Sequence, residues 1–139
     1  MTRKLKTDNT FCPHPIREDD EFFANGIFEF NITRMLEHIE HHPADIPIVA
    51  VDVSDFHSEF SSLNESHVDT VDVSRPVILA EISPGHCNLI DGNHRMEKAR
   101  RAGITKMKAY KFSVRQHIAF LTSKKSYLSY VEYWNSKLD

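Results

Sequence analysis

The stretch Leu89-Ile90-Asp91-Gly92-Asn93-His94-Arg95-Met96-Glu97-Lys98-Ala99-Arg100-Arg101-Ala102-Gly103 decides how this chain is read. It has the form of a buried strand end, a two-residue turn and a helix closed by a glycine. Asp91 is placed to serve as N-cap, its carboxylate accepting a backbone N–H of the first turn, and Gly103 suits the left-handed position after the last turn. Met96, Ala99 and Ala102 recur every third residue and predict a narrow apolar stripe lying close on the preceding strand. Glu97 and Arg101 stand as an i,i+4 pair of the favourable orientation. The first turn combines small size, polarity and cationic donors in Gly92, Asn93, His94 and Arg95. A helix start with free N–H groups and partial positive charge is suited to an anion.

Asp91-Gly92-Asn93-His94-Arg95, with Ala99, Ala102-Gly103 and a basic-apolar strand after it, resembles the signature of the ParB/sulfiredoxin-like superfamily. The resemblance spans roughly residues 75–112; the N-terminal half is similar only in its order of elements. It implies that strand, turn and helix hold the phosphates of a nucleotide, as in partition proteins that bind CTP, sulfiredoxins that use ATP, free-serine kinases and proposed nucleases. Sulfiredoxin chemistry needs a thiolate where this chain has Asn93, and an amide cannot supply one. Partition proteins carry a separate helix-turn-helix, for which the residues after Phe112 leave little room. The serine-kinase motif, Asp-Gly-His-His-Arg, is the most similar, with Asn93 replacing a histidine. That branch calls for a second carboxylate, for which Glu21, Glu29 and Glu81 are candidates.

The residues of the turn have roles of their own. Arg95 offers a guanidinium that grips phosphate oxygens by two parallel hydrogen bonds, or else pairs with the acidic half of the chain. His94 is a phosphate donor, an acid or base near neutral pH, or a plain helix-face histidine. Asp91 either caps the helix or holds Mg²⁺ beside bound phosphate, since a bare carboxylate there would repel the anion. Gly92, Asn93 and Met96 complete the phosphate-binding turn. Three function classes follow: a nucleotide-binding phosphotransferase or NTP hydrolase using ATP or another nucleotide with Mg²⁺; a DNA- or RNA-binding module or nuclease tracking a phosphate backbone with Arg95, Lys98, Arg101, Lys106 and Lys108; and a non-catalytic adaptor that keeps the fold. The first is the expectation.

Charge is unevenly spread. Residues 1–90 hold 6 Lys and Arg against 16 Asp and Glu, while residues 91–139 hold 11 against 4, within a net −3. The two halves either pair within the chain or leave a basic face around the turn. With 139 residues, 40% of them hydrophobic and 27% charged, a single globular domain is expected. No apolar run approaches a bilayer span and no signal-like apolar region opens the chain, so a cytoplasmic address and no membrane partner are expected. Cys12 and Cys87 read as free thiols, although one bridge between them is an open alternative.

Along the chain, residues 1–9 read as a frayed polar terminus, and Phe11-Cys12-Pro13-His14-Pro15 as extended backbone. Glu18 to Glu21 before Phe22-Phe23 suggests the opening of a short helix. Phe28, Ile32, Met35, Leu36 and Ile39 predict an amphipathic helix over 28–40, capped by Asn31 or Asn25. His38, His41 and His42 at its exit share a face but lack a well-spaced fourth ligand. They read as a solvated, dipole-favoured helix end rather than a metal site. Ile46 to Val53 is a strand, Ser54 to His67 a surface loop or lid, and Val68 to Val73 either extends or precedes the strand Pro76 to Ile82. Ser83-Pro84-Gly85-His86 folds that strand onto Cys87 to Ile90, and Lys106 to Phe112 alternates as a further strand. Val114–Leu121 and Leu128–Leu138 read as helices. The predicted architecture is α+β: a small mixed sheet with the 91–103 and 28–40 helices packed beside it, a motif-bearing core over 75–112 and a helical cap over 113–139.

Overall fold

A computed structural model describes residues 4–25, 28–56, 68 and 70–138 of the chain. The fold is mixed α+β, built on a four-stranded sheet in the order β3-β6-β4-β5, with β3 at Ile48–Asp52, β4 at Val77–Ser83, β5 at His86–Asp91 and β6 at Lys106–Phe112. β4 and β5 form the expected antiparallel hairpin around Gly85, whose φ is +78°. β6 lies between β3, to which it is antiparallel, and β4, to which it is parallel. The parallel pairing requires a crossover, and α2 (Asn93–Arg101) lies within it.

The uninterrupted apolar run of β4 is explained by packing on both sides. Val77, Ile78, Leu79 and Ala80 are all buried. Val77 and Leu79 share a core with Met96 and Ala99 of α2 and with Met107 and Ala109 of β6. Ile78, Ala80 and Ile82 turn the other way, into a larger core with Ile90 and Phe112. That second layer comprises a β1–β2 hairpin (Phe22–Asn25 and Phe28–Asn31), α1 (Ile32–His41), α3 (Val114–His117) with a 3-10 turn behind it, and α4 (Lys124–Ser136). α4 places Tyr127, Tyr130, Val131 and Trp134 in the core at helical spacing, so the C-terminal segment is an integral layer.

Several expectations are corrected. Phe28 to Asn31 is a strand rather than the first turn of a helix: Phe28 and Phe30 alternate into the core, and Asn31 ends the strand by capping α1, accepting from Arg34 N–H. Phe22-Phe23 opens β1 instead of a helix, because its backbone pairs with that strand. Residues 4–9 are held down: Asn135 bonds both N–H and C=O of Leu5, and the Tyr127 hydroxyl accepts from Asp8 N–H. The segment after the lid region does not extend β4; Val68 and Thr70 are helical and a turn from Asp72 to Arg75 leads into the strand. Of the proposed lid, Ser54 and Asp55 belong to a 3-10 turn that begins at Val53, the expected strand end, whereas 57–67 lie outside the described residues. Both cysteines are free thiols. Among the described residues no helix is long and apolar enough to cross a membrane.

Candidate functional site

α2 begins where β5 ends, and Gly92 makes the joint. Its φ of +102° lies in the left-handed region, and a Cβ there would collide with Val77 Cγ1 and come within 2.9 Å of Val77 Cβ. Backbone conformation and close approach therefore both demand glycine. The far end is also closed as expected: Gly103, at φ +75°, donates to Arg100 C=O while Ile104 N–H returns to Ala99 C=O, the double bond of a Schellman ending. Ala102 is exposed at this exit, so the buried stripe of α2 consists of Met96 and Ala99.

The start of α2 differs from expectation in one informative respect. Gly92, not Asp91, is the N-cap residue, and no cap side chain accepts from the first turn. Asp91 is the last residue of β5, and its Oδ2 lies 2.9 Å from Arg95 Nη2. Arg95 is buried, at 9% exposure, and its Nη1 donates to Pro76 C=O at 2.7 Å and to Arg75 C=O at 3.4 Å. One guanidinium thus ties the entrance of β4 to the exit of β5. The two-pronged donor expected to face a phosphate is committed to its own domain.

Asn93 and His94 are half-buried at the first turn, and Met96 points into the core beneath it, so Met96 supports the turn through packing. Glu97 is buried and accepts from Arg100 Nε at 2.7 Å, Arg100 Nη2 at 2.5 Å and Arg101 Nε at 2.6 Å. These guanidiniums hold its carboxyl down at about 2. The proposed basic track is largely occupied by local partners: Lys98 donates to Val71 C=O, Arg101 serves Glu97 and Lys106 pairs with Asp52. Lys108 is exposed on β6.

The candidate second carboxylates do not converge on Asp91. Glu29 accepts from Thr122 Oγ1 on β2, and Glu21 precedes β1, both in the layer on the opposite sheet face from α2. Glu81 sits further along β4 and faces the N–H groups of Gly85 and Val114 at 3.4 Å. Asp91 is already paired with Arg95, and among the described residues no group of three His, Cys, Asp or Glu could hold a metal ion. This donor set does not fit a resident Mg²⁺.

The histidines at the exit of α1 form the expected solvated end, with His41 and His42 exposed, and they also line an open cavity. His38, His41 and His42 are joined there by His14 and Arg115, distant in sequence and brought together by the second layer. His117, read only as part of a helix, is fully buried, with Nε2 2.6 Å from Glu81 C=O. No known protein family, curated protein or solved structure matches the chain.

Proposed function

We propose that the chain binds the phosphates of a nucleotide at the start of α2, within a ParB/sulfiredoxin-like arrangement of strand, turn and helix. The observation that carries the reading is the diverted carboxylate: Asp91 sits beside a helix start that lacks a side-chain cap, yet it is held by Arg95. The positive end of α2 is thus left to another anion, at a turn whose glycine packs directly on Val77. Asn93 and His94 flank that position and supply the recognition; Arg95 and Asp91 are positioning residues that shape the turn. His94 is the group of the turn suited to moving a proton in phosphoryl transfer or hydrolysis. Mg²⁺ enters as the counter-ion of the nucleotide. The local pairing of Lys98, Arg101 and Lys106 weighs against a nucleic-acid track.

Thermal unfolding against ATP, ADP, CTP and GTP, each with and without Mg²⁺, tests the reading, because a ligand of the folded state raises the midpoint by mass action. The decisive variant is Asn93→Asp. A carboxylate in the first turn favours the helix but repels a bound phosphate, so the variant should fold as well as the parent and lose the nucleotide shift. Stabilisation by short DNA or RNA alone, steeply weakened by salt, would put the nucleic-acid reading in its place.

A further inference from the structure

The second layer contains a cavity of about 610 Å³ between the exit of α1 and α3, on the opposite side of the sheet from α2. Its size suits a small organic ligand. Aromatic rings form much of its wall. Phe120 is stacked by His14 at a centroid distance of 5.5 Å and meets His38 edge-on at 5.7 Å, and His42 lies 4.9 Å from His38. A flat ring entering here meets other rings at stacking or edge-to-face distances.

The charged groups of the wall are not equally occupied. Glu37 is held by Arg17 at 2.8 Å, and Asp45 faces His38 at 3.4 Å. Arg34 spends Nη2 on Pro15 C=O and has its Nη1 3.8 Å from Glu37 Oε1. Arg115 forms no hydrogen bond or ion pair among the described residues. Both acids of the cavity thus lie against a neighbouring basic side chain, whereas the Arg115 guanidinium retains its donors. An oxyanion satisfies guanidinium donors by short, charge-assisted bonds.

We propose that this cavity binds a small aromatic oxyanion, a ring carrying a phosphate or carboxylate group. Arg115 takes the anionic group, with the paired Arg34 adding positive charge beside it, and the ring packs among Phe120, His14 and His38. The site is independent of the α2 turn.

Calorimetric titration and histidine-ring NMR of the full-length protein with phenyl phosphate, benzoate, inorganic phosphate and phenol test it. Phenyl phosphate or benzoate should bind saturably and move the His14 and His38 resonances, the tighter of the two naming the anionic group. Arg115→Ala should weaken that binding about ten-fold or more, with partial retention in Arg115→Lys, as expected for a charge-assisted contact. Asn93→Asp should leave it unchanged, which separates this site from the nucleotide site. The proposal is overturned if neither aromatic anion saturates up to roughly 10 mM, a range that reaches millimolar affinities. It is equally overturned if Arg115→Ala binds as tightly as the parent, if Asn93→Asp abolishes binding, or if inorganic phosphate matches phenyl phosphate.

Discussion

Arg95 and Asp91, four residues apart across the start of α2, form an ion pair at 2.9 Å whose guanidinium also holds the carbonyl of Pro76 at 2.7 Å. The pair joins two neighbouring strands to the helix that follows the second of them. Removing Arg95 leaves a half-buried carboxylate and the Pro76 carbonyl without this donor, so Arg95→Ala should cost about 3 kcal/mol. Lysine carries one compact ammonium and cannot reproduce the fork, so Arg95→Lys should recover only part of that loss. Urea unfolding of both variants checks this; a neutral Arg95→Ala would show that the clamp contributes nothing to the fold.

Gly92 and Gly103 bound the same helix and share a positive φ, but their surroundings differ. A Cβ at Gly103 meets nothing within 4 Å, whereas one at Gly92 meets Val77. Gly103→Ala should therefore cost only the conformational penalty of about 1 kcal/mol. Gly92→Ala adds a clash within a closed core and should exceed it by roughly 1–3 kcal/mol. Parallel denaturation curves test the difference, and equal losses would show that Val77 gives way freely.

The extent of α2 and its glycine exit were legible because glycine, a first turn of polar residues and an i,i+4 acid–base pair are local signals; its N-cap was not, since Gly92 and not Asp91 holds that place. The hairpin of β4 and β5 was legible for the same reason, through Pro84-Gly85. Local signals also misled. Phe28 stands four residues before Ile32 and so joins the helical stripe in sequence, yet it belongs to a strand because Phe30 alternates with it and Asn31 begins the helix. The clamp of Leu5 by Asn135 spans 130 residues, and the gathering of His14, Arg115 and the α1 histidines depends on the same long-range packing. At the turn itself, residue types indicated a polar, cationic helix start, but not that Arg95 would spend its donors on Asp91 and Pro76. An acid and an arginine in one turn are each suited to phosphate chemistry and to each other, and only the burial of Arg95 separates the two uses.

Residues 4–9 add a strap to α4, with Asn135 bonded to both backbone groups of Leu5, itself buried. Asn135→Ala should destabilise the protein by about 1–2 kcal/mol through the loss of two hydrogen bonds. Amide exchange of Leu5 and Asp8 should accelerate with it. Unchanged exchange at Leu5 would show that the strap is held by packing alone.

Two acid groups should be separable by pH. Glu97 has its carboxyl held at about 2 by Arg100 and Arg101, below its ordinary 4.5. Its contribution is present above pH 4.5 and is lost as pH falls from there towards 2. His117 acts in a higher window: burial pushes it down from 6.5 to about 4, only partly opposed by its bond to Glu81 C=O. The unfolded chain then binds a proton that the folded chain refuses, so stability rises with pH between about 4 and 6.5 and falls on acidification through that range. The full shift corresponds to roughly 3 kcal/mol. Urea unfolding at pH 7 and pH 5 should show part of this loss in the parent. His117→Gln, which keeps a donor for Glu81 C=O without a titrating ring, should flatten the slope while losing some packing against Phe30 and Tyr130. Glu97→Gln should retain the slope between 4 and 6.5 and lose the one below it. An unaltered slope in His117→Gln would place the proton uptake on other groups.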